Sequence, residues 1–272
     1  MSQESPLKPE ESKEIALEQL NKTIEKQGFD VLKEKNTYTV TATNHWQGLL
    51  GKIAKPWPEA CAKLKFQYNF NTFDGRAAFL NGKKEGSIIG IQSGVYYEQI
   101  NPDAKLEQIK RLNKKQHKQK LGLEVFHYFI ELPLRLKNAP ILRYYGEKTH
   151  QGKNYELVFA SWESEAANKK YDQFVLWINR ETNLLEYVYF TVRENKGLLK
   201  RTHYSSMSYR NYENQDGFLV PQKIAVFIDD KVLTKAPDEY LHQYDVHEFK
   251  MKSFEEKLLY PLPGLEKKID SK

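Results

Sequence analysis

From residue 141 to residue 254 the chain is a series of β-type segments with short, turn-like spacers between several of them. ILRYYGEKTH, KNYELVFASW, DQFVLWIN, LLEYVYFTVRE, RTHYSSMSYRNY, FLVPQKIAVFID and HQYDVHEFKMKSF follow one another, punctuated by QG at 151–152, RETN at 180–183 and NQDG at 214–217. Strands joined this closely pair antiparallel, because a parallel crossover needs a helix-length connection. The sharpest expectation is a hairpin of 174–178 with 184–192 around 180–183, with the Asn and Glu of that turn supplying hydrogen bonds. Phe174, Leu176 and Ile178 alternate with Val175 and Trp177, so this segment is apolar on both faces. Both faces must then pack on something other than water.

The earlier half carries one clean strand. In LKFQYNFNT, Leu64, Phe66, Tyr68, Phe70 and Thr72 alternate with Lys65, Gln67, Asn69 and Asn71, which predicts one buried and one wet face. Two helices are expected. One covers about 10–27, opened by Pro9 and an acidic first turn, with Ile15, Leu17, Leu20 and Ile24 on its apolar face and Gly28 at its end. The other covers about 121–132 and stops at or before Pro133. Seventeen Tyr, 14 Phe and 4 Trp favour a β-rich chain, since aromatics suit a pleated, half-buried surface. Residues 1–8 and 261–272 read as tails around a single domain over 9–260.

Three segments carry a family pattern. FHYFIELPLRLKNAPILRYYGEKTHQGKNYELVFASW is a helix ending in an aromatic-Leu-Pro turn followed by a Gly-Glu strand. FVLWINRETNLLEYVYF is a Trp-bearing hairpin, and DGFLVPQKIAVF has the form of its Gly-and-Pro partner strand. Over about 125–230 the chain resembles the lipoprotein-carrier-like β half-barrels of the LolA and LolB type, closest to uncharacterised lipoprotein-borne members of Bacteroidota. The resemblance implies a mainly antiparallel α+β fold, a curled half-barrel sheet with two helices packed on its concave face. It also implies a hydrophobic cavity and an exported protein. Its catalytic content is nil.

The chemistry legible in the residues is sparse. One cysteine, Cys61, excludes an intramolecular disulfide framework and reads as buried filler. Glu124, His127 and Glu131 share one helix face, but a di-iron bundle needs a second Glu-x-x-His, so a surface Glu pair with a partly buried His is the simpler reading. His242 and His247 point to opposite faces of a strand. Asp245 and His247 share one and suit a cross-strand polar contact better than a metal. No Gly-x-Ser-x-Gly elbow or phosphate loop occurs. No metal or cofactor is expected.

Lys and Arg exceed Asp and Glu by six, and the segment 105–120 alone carries that surplus, seven bases against Glu107. Such a run reads as a solvated face. Its functional alternative is contact with an anionic surface or acidic partner through Lys110, Arg111, Lys114, Lys115 and Lys118. Nucleic acid is not expected, because no aromatic interleaves the run to stack on bases. The predicted function is a non-enzymatic module, monomeric, binding a hydrophobic ligand, either a lipid or a lipoprotein. The expected cavity lining is Phe66, Phe70, Tyr97, Phe126, Phe129, Trp162, Trp177 and Tyr189. The alternatives are a metal- or Ser/His-dependent hydrolase with no legible motif, and a structural surface lipoprotein. The expected location is the periplasm or the outer membrane, with a signal already removed, against a cytoplasmic alternative.

Overall fold

Short turns build the molecule into hairpins. A computed structural model describes residues 7–70, 72–166, 171–192, 203–228, 231–234 and 238–265. The elements are α1 (Pro9–Gln27), α2 (Phe29–Lys35), β1 (Thr37–Trp46), α3 (Gly48–Ala54), β2 (Cys61–Asn69), β3 (Gly75–Phe79), β4 (Ile88–Gln92), β5 (Val95–Gln99) and β6 (Glu107–Gln108). There follow α4 (Lys114–Ile130), α5 (Leu132–Lys137), β7 (Ile141–His150), β8 (Lys153–Ser161), β9 (Gln173–Asn179), β10 (Leu185–Val192), β11 (His203–Gln215), β12 (Phe218–Ile228) and β13 (His242–Met251). The strands form one 13-stranded open sheet in the order β6-β5-β4-β3-β2-β1-β13-β12-β11-β10-β9-β8-β7. Two meanders therefore meet where β13 returns antiparallel beside β1. The α+β class and antiparallel sheet are as the sequence predicts. Five α-helices are present among the described residues where two were expected. Of the expected tails, 1–6 and 266–272 lie outside the described residues.

The chain divides into two compact units. The first comprises Met1–Gln27, Leu132–Asn211 and Ile224–Leu241. Its β9 and β10 pair antiparallel as expected, with Ile178 opposite Leu185, Trp177 opposite Tyr187 and Phe174 opposite Phe190, and an irregularity between Leu185 and Tyr187. The turn differs in detail. Asn179, just before the predicted turn, rather than the turn's own Asn183, accepts through its side chain from the amides of Glu181 and Thr182, and its carbonyl accepts from the Asn183 amide. Helix α1 buries Ser12, Ala16, Leu20, Thr23 and Gln27, a narrower and smaller stripe than the predicted Ile15-Leu17-Leu20-Ile24 face. Small residues let α1 approach the edge strand β7, where Ser12 Oγ bonds both the amide and the carbonyl of Tyr144. A free sheet edge is a pairing hazard, and α1 covers this one.

The second unit comprises Gly28–Glu131, Tyr212–Lys223 and His242–Lys272. Gly28, in the left-handed region at φ 85°, starts α2 where a Cβ would fall 2.1 Å from the Gly217 carbonyl oxygen, so only glycine fits. The basic run is not one element. Residues up to 113 form a loop with the short strand β6, and α4 begins at Lys114 behind an Asn113–Gln116 capping box. This helix starts well before the predicted 121, and its C-terminal turn breaks at Glu131, after which Pro133 sits in the first turn of α5, where a missing N–H costs nothing. On the sheet, alternation in β2 holds as far as Phe66, after which Gln67 and Asn69 are buried too. Asn69 donates to Glu256 and Tyr260 of the segment after β13, which covers what the sequence marks as the wet face. Residues 261–265 are likewise no loose tail, because the buried Gln92 amide bonds the Leu262 backbone in both directions.

Candidate functional site

The richest apolar contact in the second unit lies between α4 and the sheet. Strand registers place Val40 opposite Phe66 and Tyr38 opposite Tyr68, and β13 adds Tyr244. Phe126 of α4 enters this bed, its ring 4.1 Å from that of Tyr244 and 4.5 Å from that of Phe66. His127 stacks on Tyr68 at 4.1 Å. Gly122 makes the close approach possible, since a Cβ there would stand 2.8 Å from the ring of Pro56. Polar pins cross the same contact. Tyr68 donates to the Leu123 carbonyl, Tyr96 to Gln119, and Tyr38 to Glu131, whose Oε1 also lies 2.9 Å from His127 Nε2. Burial holds the phenols of Tyr68, Tyr96 and Tyr244 far above their ordinary range, Tyr68 being pushed further by Tyr244 and Glu131, so all three stay neutral and Tyr68 and Tyr96 can donate.

Of the expected liners, Phe66 and Phe126 meet here, and Phe70 and Phe129 are buried in the same unit. Tyr97 is not on this face. Its cross-strand partner is Gly90, whereas its neighbour Tyr96 reaches α4. Strand alternation thus turns Tyr97 to the reverse side, and Tyr96 is the residue that sequence reasoning missed. An i±2 reading from Glu98, which bonds Gln116 of α4, would have found it.

In the first unit the liners also separate by face. Leu142, Val158, Ala160, Leu176, Val188 and Met207 share one fully buried face by register. Trp162 lies on this side, 6.2 Å from Phe174. The other face carries Trp177 and Tyr189, 5.7 Å apart, with Tyr155, Leu157, Val175 and Tyr187. Leu233 and Tyr240 pack there, and among the described residues no member of these clusters comes from α1 or α5. On this second apolar face of β9 it is Leu233, from the short 3-10 turn Lys231–Leu233, that packs against the Trp177 cluster.

No family model matches the chain, and no curated protein matches it. Solved structures do. A LolA superfamily protein from Nitrosomonas europaea superposes with a TM-score of 0.52 at 11% identity, over 90% of this chain and 96% of the other. A putative outer membrane lipoprotein-sorting protein domain from Vibrio parahaemolyticus gives 0.50 at 9% identity, over 88% and 97%. A DUF1329 family protein from Desulfovibrio piger gives 0.55 at 9% identity, over 94% and 99%. The fold is LolA-like. At these identities the likeness establishes the fold and no lineage.

Within this LolA-like fold the titratable groups resolve into local pairs. Glu124 bonds Lys120 at 3.1 Å, away from the His127–Glu131 pair, so the three residues form no ligand set. Among the described residues no three His, Cys, Asp or Glu side chains cluster as a metal site. Asp245 pairs with His45 at 3.1 Å, and His247 with Thr43 at 2.7 Å, the cross-strand contacts that strand alternation favours. His242 faces the other way and stacks on Trp46 at 4.1 Å. Cys61 is exposed at the start of β2 rather than buried. Lys110, Arg111, Lys114 and Lys115 are exposed and Lys118 half-buried. An open cleft of about 650 Å³ lies beside Glu34, Asn36, Thr37, Lys252 and Glu256, lined mostly by charged and polar residues. No helix among the described residues is long and apolar enough to cross a membrane.

Proposed function

We propose that the protein is a non-enzymatic binding module of the cell envelope that takes a lipid or the acyl chain of a lipoprotein between α4 and the aromatic bed of Phe66, Tyr68 and Tyr244. The observation that carries this reading is Phe126, a helix-borne ring stacked between the strand-borne rings of Phe66 and Tyr244. When the helix shifts, that surface offers an acyl chain the contacts that Phe126 makes. The LolA-like fold supports the reading, since one structure sharing it is described as a putative lipoprotein-sorting domain. Covering ~300 Å² of chain yields about 7 kcal/mol gross at 25 cal/mol per Å². Ordering and the displacement of α4 oppose it, so micromolar affinity is expected.

Titration with a fluorescent fatty acid tests this. Phe126→Ala vacates the bed and should bind about tenfold tighter than the wild type, although it costs about 3–5 kcal/mol of stability. Trp177→Ala, on the reverse face of the first unit, should bind as the wild type does. No saturable binding by either the wild type or Phe126→Ala, or loss of binding in Trp177→Ala alone, would contradict the reading.

A further inference from the structure

Helix α3 turns its apolar side chains outward. Leu49, Leu50 and Ile53 are 75%, 59% and 61% exposed, and the buried position of the helix is Gly51. Single exposed leucines are ordinary, but three on a seven-residue helix form a patch. Gly48 enters it at φ 65°, and a Cβ there would meet nothing within 4 Å, so this end of α3 faces open space. Lys118 Nζ donates to the Ile53 carbonyl, which sets the basic start of α4 beside this patch. Leu121, one turn further along α4, is exposed as well.

Charge selects the occupant. Lys52 lies within α3, and Lys114 and Lys115 are exposed on the first turn of α4, in the segment that carries the chain's whole positive surplus. A second copy would bring like charge against like. An anionic bilayer offers an apolar layer under a negative surface, which matches both halves of the patch. We propose that α3 docks the protein on an anionic lipid bilayer, with Leu49, Leu50 and Ile53 entering the headgroup–acyl boundary and Lys52, Lys114 and Lys115 facing lipid phosphates. Docking by α3 requires no ligand beneath α4, so the two proposals fail separately.

Flotation of the full chain with vesicles tests it. Binding to phosphatidylcholine vesicles containing phosphatidylglycerol should exceed binding to pure phosphatidylcholine by about tenfold or more and fall with salt. The triple variant Leu49→Ser, Leu50→Ser, Ile53→Ser and, separately, Lys114→Glu with Lys115→Glu should each lose about tenfold on the anionic vesicles. Their thermal midpoints should stay near the wild-type value, because every replaced side chain is exposed. Leu50→Trp should blue-shift in emission on adding anionic vesicles. Equal binding to both vesicle types, wild-type flotation by the triple variant, or a wild-type dimer that the triple variant converts to monomer would overturn the proposal.

Discussion

His242 shows how one residue ties packing to pH. It is buried against Trp46, and its Nδ1 finds no hydrogen-bond partner among the described residues. Asn44 beside it is engaged elsewhere, accepting from the indoles of Trp46 and Trp57 and donating to the Gln243 carbonyl. Burial pushes the His242 imidazolium down to about 3. Between the unfolded pKa near 6.5 and about 3 the unfolded chain binds a proton that the folded chain refuses, so stability is full above that window and falls as pH drops through it. The expected loss is about 2 kcal/mol between pH 7 and pH 5. His242→Phe keeps a ring on Trp46 and removes the proton. Urea unfolding across that range should show His242→Phe with a slope shallower by that amount. An unchanged slope would mean that His242 is not excluded from water.

At the scale of elements, α4 is decided by a residue with no side chain. Glycine inside a helix normally costs about 1 kcal/mol relative to alanine. Here Gly122→Ala would drive a Cβ to 2.8 Å from Pro56, whose ring is not free to retreat. The sign therefore reverses, and Gly122→Ala should destabilise by about 1–3 kcal/mol in chemical denaturation. A stabilised variant would show that α4 does not sit this close. The sequence places α1 to within a residue at its start, because Pro9 and the acidic first turn are local signals. It misplaces the start of α4, because the lysine run hides the Asn113–Gln116 box. It misses α3 altogether, because seven residues with their leucines outward follow no amphipathic period.

For the whole molecule, the sheet is legible because turn sequences are local, and RETN marks the turn that joins β9 to β10. Facing is less legible. A strand apolar on both sides does not say which side meets a helix, and the covering residues, Leu233 behind Trp177 and the segment 255–265 behind Asn69, lie far away in sequence. That is why Phe66 and Phe126 come together while Tyr97, Trp177 and Tyr189 turn elsewhere. The most direct test of ligand entry beneath α4 uses the four tryptophans, Trp46, Trp57, Trp162 and Trp177. Trp57 lies against Phe66 and beside Gly122, whereas Trp177 is on the reverse face of the first unit. With fluorotryptophan incorporated and the fluorine resonances assigned by single Trp→Phe variants, saturation with a lysophospholipid should move the Trp57 resonance and leave that of Trp177 in place. Movement of Trp177 with Trp57 stationary, or no movement of any resonance, would contradict the account.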